Sequence, residues 1–282
     1  MDVIAVVTGA SRGAEKGIAI ALGETGADRI CQGPQRRGRR LSLWRHVGET
    51  ADLITRAGGK GVAVTLDHTD DEAVAGLFAR LKGEHGRLDI LVNNAANAAA
   101  STTTPGGFWE KPLAAVDLIT VDLRSHFVSA YYAAPLLIAN GRGLIAHTGH
   151  YGAVAYYRGP VYGAQKAGAD KMAADFAKEF RPHNTAVVSI WMGGLDTERA
   201  RACLASMPDE FRPKTKPESP QFTGKVIAAL YEANLRMELS GSALIGAELG
   251  AKRGVMDIDG SAPKSDRYEL GGPPELHRTL IS

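Results

Sequence analysis

Tyr162 and Lys166 stand at i,i+4 in the segment Tyr162-Gly163-Ala164-Gln165-Lys166, so on a helix they share one face about one turn apart. An ammonium beside a phenol favours the phenolate, and a tyrosine lowered from about 10 can exchange a proton nearer neutrality. That is what an acid/base group needs in the interconversion of a carbonyl and an alcohol. Any amphipathic helix can carry such a pair, so its weight comes from its companions. One is the turn Thr8-Gly9-Ala10-Ser11-Arg12-Gly13, which follows a short apolar run. Glycines between a strand and a helix let the backbone approach a pyrophosphate, whose charge the helix N-terminus favours.

Positioning these groups requires strands and helices in alternation. Apolar runs predict strands at Val3–Thr8, Arg29–Cys31, Gly61–Leu66, Asp89–Val92, Gly143–Ala146, Ala186–Trp191 and Ser242–Ile245. Helical patterns lie between them near Gly17–Thr25, Glu49–Ala57, Asp71–Glu84, Ala114–Ala139, Tyr162–Phe180 and Thr223–Asn234. This alternation predicts an α/β fold: one doubly wound, Rossmann-like domain with a parallel sheet of about seven strands, its ligands beyond the carboxyl ends of the strands. The domain is expected over residues 1–260, with a Pro-rich, lid-like insertion near 200–222, and residues 261–282 read as an extended or mobile Pro/Gly-rich tail.

Composition narrows the class. Across 282 residues the formal net charge is +2, which gives bulk electrostatics no reason to recruit nucleic acid or a membrane surface. Cys31 and Cys203 have no C-x-x-C spacing, so neither a disulfide framework nor a cysteine zinc site is indicated and a reducing, cytoplasmic setting fits. His147 and His150 lack a matching third ligand, and no metal is expected. The first apolar run is too short for a secretory core, and no stretch reaches the ~20 apolar residues of a membrane span.

Taken in order, the glycine turn, Asn93-Asn94-Ala95-Ala96, the Tyr162/Lys166 pair and the Gly193–Thr197 region resemble the short-chain dehydrogenase/reductase family over about residues 3 to 250. Gly86-Arg87-Leu88-Asp89, Phe108-Trp109-Glu110 and Leu123-Arg124-Ser125-His126 resemble a branch with mammalian and bacterial members. The resemblance implies hydride transfer between a nicotinamide and a carbonyl or alcohol carbon of a small molecule, with Tyr162 as acid/base and Lys166 lowering its pKa. It places Gly9, Ser11, Arg12, Gly13, Asp67, Asn93, Ala95, Gly193 and Thr197 along the cofactor, beside Tyr162 and Lys166. It also implies a homodimer or homotetramer built on the long helices.

Four departures qualify that expectation. Glu15 takes the place of the family's third glycine, either crowding the phosphates or pointing to solvent. Gly33 stands where an acid would bind the ribose of NAD, while Arg12, Arg36, Arg37, Arg39 and Arg40 offer cations for a 2′-phosphate; NADP(H) is preferred, with NAD(H) the alternative. Gly149 falls at the family's catalytic serine, leaving Thr148 as the nearest chemical replacement and His150 as the other. Asp122 occupies the place of an asparagine that holds a relay water. His150, Tyr156 and Met192 are expected along the substrate cleft, and the aromatic surroundings suit an apolar or aromatic substrate. The competing reading is a family member with weakened catalysis that binds nucleotide or another small ligand.

Overall fold

The computed structural model describes residues 3–10, 13–25, 28–34, 40–95, 106–205 and 215–276. Its strands are β1 (Ala5–Val7), β2 (Asp28–Pro34), β3 (Lys60–Leu66), β4 (Ile90–Asn93), β5 (Gly143–Gly149), β6 (Thr185–Trp191) and β7 (Ala243–Ile245). They form one seven-stranded sheet in the order β3-β2-β1-β4-β5-β6-β7, and every pairing is parallel. The chain builds outward in one direction from β1 and in the other from β4. The carboxyl ends of those two strands therefore meet at the point where strand order reverses, the ligand crevice of a doubly wound sheet.

The apolar runs are strands because both faces of the sheet are covered. Ala5 and Val7 point into a core with Val92, Ala146 and Val188, packed by Ile18, Leu22, Phe222 and Val226. Ile4 and Val6 point the opposite way, with Leu91, Ile145 and Val187, onto Leu77, Leu81, Leu137 and Ala173. Strand alternation distributes one continuous apolar sequence between two cores. The first face is covered by α1 (Ala14–Gly23) and α7 (Pro220–Glu232), the second by α3 (Asp71–His85), α4 (Arg124–Asn140) and α5 (Pro160–Phe180).

Several elements differ from expectation. The helix predicted over Ala114–Ala139 is a 3-10 turn at Leu113–Val116, a π-helical segment at Leu118–Leu123, and then α4. A π turn holds an extra residue, and such turns recur at functional sites; this one carries the buried Asp122. Helix α2 (Arg40–Arg56) begins much earlier than predicted. Short helices α6 (Glu198–Ala205), α8 (Gly246–Arg253) and α9 (Arg267–Leu270) were too brief to leave a periodic signal.

The C-terminal tail is docked over its described part. The Asp266 N–H donates to the Tyr151 hydroxyl at 3.0 Å, and the Arg267 guanidinium makes two 2.7 Å hydrogen bonds with the Glu248 carboxylate. Leu270 packs against the cluster of Tyr151, Trp191 and Ile245. A Pro/Gly-rich composition does not reveal such anchors, because each is a single residue meeting a distant partner.

Candidate active site

Strand β5 ends at Gly149, a short loop follows, and Gly159 (φ 102°) lets the chain enter α5 through Pro160. The helix then sets Tyr162 and Lys166 on one face. The Lys166 Nζ lies 5.7 Å from the centroid of the Tyr162 ring and donates to the carbonyl of Thr148 at 2.9 Å. Burial drives the ammonium down to about 8, although Asp122, Asp170 and Glu15 act to raise it; Arg158 adds to the lowering. The phenol moves opposite to expectation. Its own burial raises Tyr162 above the usual tyrosine value, and the cation opposing that rise is Arg158 rather than Lys166.

Arg158 left no motif in the sequence. It has φ 61° and lays its guanidinium 5.8 Å from the Tyr162 ring centroid and 5.3 Å from that of Tyr157. The available signal was a cation four residues before the tyrosine, and its meaning depends on that backbone geometry. His150 completes the cluster, its ring centroid 4.6 Å from Tyr157 and 5.6 Å from Tyr162. The His150 Nδ1 accepts the Gly152 N–H at 2.9 Å, which places the ring proton on Nε2 when the imidazole is neutral. Burial, reinforced by Lys166 and Arg158, holds His150 down to about 3, so the ring is neutral across the physiological range.

The two neighbours of His150 are otherwise engaged. The buried Thr148 hydroxyl is directed to the Asn93 carbonyl at 3.4 Å, so this residue reaches the site through its carbonyl. A Cβ on Gly149 would stand 2.4 Å from Trp191 Cδ1 and 2.5 Å from Ser189 Oγ. The serine of the family pattern has no room there. His147 is separate from His150: it stacks on His126 with ring centroids 5.0 Å apart and is fully buried.

At the crevice, Gly9 and Gly13 have φ of 86° and 68°, a region that favours glycine. A Cβ on Gly9 would meet Ala95 Cα at 2.9 Å. The Thr8 hydroxyl accepts the N–H groups of Asn94 and Ala95, both at 3.0 Å, stitching the end of β1 to that of β4. Glu15 does not turn to solvent. Its Oε1 lies 3.2 Å from the place of a Gly9 Cβ and its Oε2 3.3 Å from that of a Gly13 Cβ. Ser11, Arg12, Arg36, Arg37 and Arg39 lie outside the described residues, as does the side chain of Arg40.

The remaining expected residues have identifiable local roles. Asp67 accepts the Thr69 N–H and hydroxyl at 2.9 and 2.8 Å, shaping the turn after β3. The Asn93 amide donates to the His126 carbonyl at 3.1 Å, toward α4. The Gly193 N–H donates to Glu218 Oε1 at 3.3 Å, and the Thr197 hydroxyl accepts the Ala200 N–H at 3.1 Å, capping α6. The Met192 N–H donates to the Gly149 carbonyl at 3.3 Å, whereas Tyr156 is 83% exposed. Glu218 had gone unnoticed in the sequence. Burial pushes its carboxyl up to about 8; its backbone forms a bridge with Leu195 that closes the base of the insertion.

The residues present fit a dinucleotide. Gly9 and Gly13, both at positive φ, put no side chain at the two ends of the turn, and α1 begins immediately after it; among the described residues, Glu15 extends its carboxylate over both glycines. Among the described residues no group of three or more His, Cys, Asp or Glu could hold a metal, and no helix is long and apolar enough to cross a membrane.

Comparison with known proteins agrees with this geometry. The family model described as short chain dehydrogenase matches residues 3–207. The mouse protein "Dehydrogenase/reductase SDR family member 1" is 36% identical over 280 residues, covering 95% of this chain and 87% of its own. The human protein of that name is 35% identical over 279 residues, covering 95% and 86%. Among solved structures, acetoin dehydrogenase YohF from Salmonella typhimurium superposes with TM-score 0.68 at 24% identity, covering 87% of this chain and 94% of its own. A short-chain dehydrogenase/reductase mutant from Serratia marcescens gives 0.69 at 26%, covering 86% and 95%. With the family model spanning most of its length and the mouse relative nearly all of it, the chain belongs to the short chain dehydrogenase family, whose members are oxidoreductases using nicotinamide cofactors on small molecules.

Proposed function

We propose that the protein is an NADP(H)-dependent oxidoreductase that interconverts a carbonyl and an alcohol on a small apolar or aromatic substrate. The observation that carries this reading is the cluster in which Tyr162 meets Lys166, Arg158 and a neutral His150 at the mouth of the crevice. Tyr162 exchanges the proton with the substrate oxygen. His150, with its proton on Nε2, donates a second hydrogen bond to that oxygen in place of the missing serine hydroxyl. Geometry favours it over Thr148, whose hydroxyl is directed to Asn93. Lys166, tied to the Thr148 carbonyl, fixes the floor of the site and presents a cation to the cofactor ribose. Asp122, in the π turn, holds the Lys166 charge and a water at the far side. Once bound along Gly9, Gly13, Ala95 and Thr197, the nicotinamide cofactor supplies or accepts the hydride.

The preference for NADP(H) rests on Gly33, the next-to-last residue of β2, which offers no carboxylate, and on the arginines that follow it. Aromatic walls from Tyr157 and Tyr162 suit an apolar substrate. Exposed Phe127, Tyr131 and Ile138 on α4 support a homo-oligomer joined through that helix. A cytoplasmic setting fits the absence of cysteine pairing signals.

Glu15 in the first turn of α1, glycine at position 149 and Asp122 favour a second reading, a member of the family that binds a ligand with little turnover. A panel of carbonyls and alcohols assayed with NADPH, NADH and their oxidised forms separates the two. Turnover with NADPH at higher kcat/KM than with NADH is the expected result; no turnover on any substrate favours the binding protein.

A further inference from the structure

Glu15 occupies the one place in the crevice where the family reading calls for a negative ligand. Its two carboxylate oxygens face the two positive-φ glycines, Oε1 toward Gly9 and Oε2 toward Gly13, from the first turn of α1. That is the position where backbone N–H groups and the helix N-terminus favour an anion. The carboxylate also lies within electrostatic reach of Lys166, together with Asp122 and Asp170. One side chain therefore answers both the phosphate cradle and the catalytic lysine.

We propose that Glu15 is a built-in competitor for the anion site, a residue that sets dinucleotide affinity by occupying the pyrophosphate position until the incoming phosphates displace it. This rests on the reading of the crevice as a dinucleotide site. Without a dinucleotide, Glu15 neutralises the cradle and lends its charge to Lys166. On binding, the carboxylate must leave, because two anions cannot share the place that its oxygens hold over Gly9 and Gly13. Like charges a few ångströms apart at the edge of a protein repel strongly enough to weaken binding by about tenfold or more. Ligands lacking the pyrophosphate, such as adenosine, should not meet this repulsion.

Three proteins test the idea: the natural chain, Glu15→Gln, which keeps the volume and removes the charge, and Glu15→Ala, which removes both. Each is titrated calorimetrically with NADPH, NADH and adenosine, with circular dichroism and thermal unfolding to verify the fold. The expected result is dinucleotide binding at least about tenfold tighter in both variants, with adenosine binding unchanged. The Lys166 titration, followed by NMR in the absence of nucleotide, should move to lower pH in Glu15→Gln, because one of its three carboxylates is gone while Asp122 and Asp170 remain and Arg158 still opposes. Tightening in Glu15→Ala alone replaces charge competition with plain obstruction and overturns the proposal. If all three proteins bind dinucleotide equally, the proposal falls while the dinucleotide reading stands. If none binds either dinucleotide, both fall.

Discussion

The Trp191 indole N–H donates to both carboxylate oxygens of Asp170, at 3.1 and 3.0 Å, joining the end of β6 to the middle of α5. Asp170 is buried, which pushes its carboxyl up to about 6, with the Trp191 hydrogen bonds and the Lys166 charge pulling the other way. The indole fills the space that a side chain at position 149 would need. Restoring the family's serine by Gly149→Ser should therefore not restore a catalytic donor. It should displace Trp191 and lower stability by about 1–3 kcal/mol, the usual cost of overpacking a filled interior. Urea unfolding measures this; unchanged stability with increased turnover would show that the loop accommodates the serine.

Thr148 and His150 make opposite predictions about the donor. Thr148→Val removes a hydroxyl directed to the Asn93 carbonyl, so it should cost about 1 kcal/mol of stability and leave kcat nearly intact. His150→Phe keeps the ring and removes Nε2–H, and should lower kcat by about 10²–10³ on a confirmed substrate. A steady-state comparison of the two variants decides between them.

Tyr162→Phe should abolish turnover and leave NADPH affinity within about threefold, since only the phenolic proton is lost and uniform binding is untouched. Lys166→Ala should damage both. It removes the hydrogen bond to the Thr148 carbonyl together with the cation, so the fold should weaken by about 1–3 kcal/mol as well. Substantial turnover in Tyr162→Phe would assign the acid/base role elsewhere.

Much of this was legible in the sequence because it depends on short-range pattern. Ile4 to Val7 are apolar on consecutive residues, which fits only a strand covered on both faces, and the Tyr162/Lys166 spacing survives any small error in helix boundaries. What escaped depends on three-dimensional detail. The role of Arg158 requires a left-handed backbone before Gly159. The tautomer of His150 is set by the Gly152 N–H. Glu15 could be placed in the turn by counting, but its inward direction is a rotamer that no spacing encodes. Glu218 is distant in sequence from Gly193, and its burial follows from the bridge to Leu195.

The exposed row on α4 gives a prediction for assembly. Phe127 and Tyr131 stack with ring centroids 6.5 Å apart, and Phe127 also touches Phe176 of α5. In a twofold interface one substitution acts twice, so Tyr131→Glu places two carboxylates on facing helices. The natural chain should sediment as a dimer or tetramer, and Tyr131→Glu should weaken association by about 10²-fold or more with the fold retained. A natural chain that sediments as a monomer would remove the role assigned to this face.

Glu218 makes the pH dependence of stability testable. Its carboxyl is raised from 4.5 to about 8 chiefly by burial, with Asp257 and Asp266 adding to the rise while the Gly193 N–H and the Thr223 hydroxyl oppose it. The folded chain therefore binds more protons at this position than the unfolded chain between those values. The resulting stabilisation is complete below the ordinary carboxylate value and is lost as pH rises through 8. A single group of this kind changes stability by at most ~1.4 kcal/mol per pH unit. Glu218→Gln stays neutral at every pH and keeps an oxygen to accept the Gly193 N–H. Urea unfolding at pH 5 and pH 8 should show the natural chain losing more stability across that interval than the variant does. Other titrating groups, Asp170 among them, are common to both proteins and cancel in the comparison. Parallel pH profiles would mean that Glu218 stays ionised in its buried place, with the Gly193 N–H and the Thr223 hydroxyl outweighing the cost of burial.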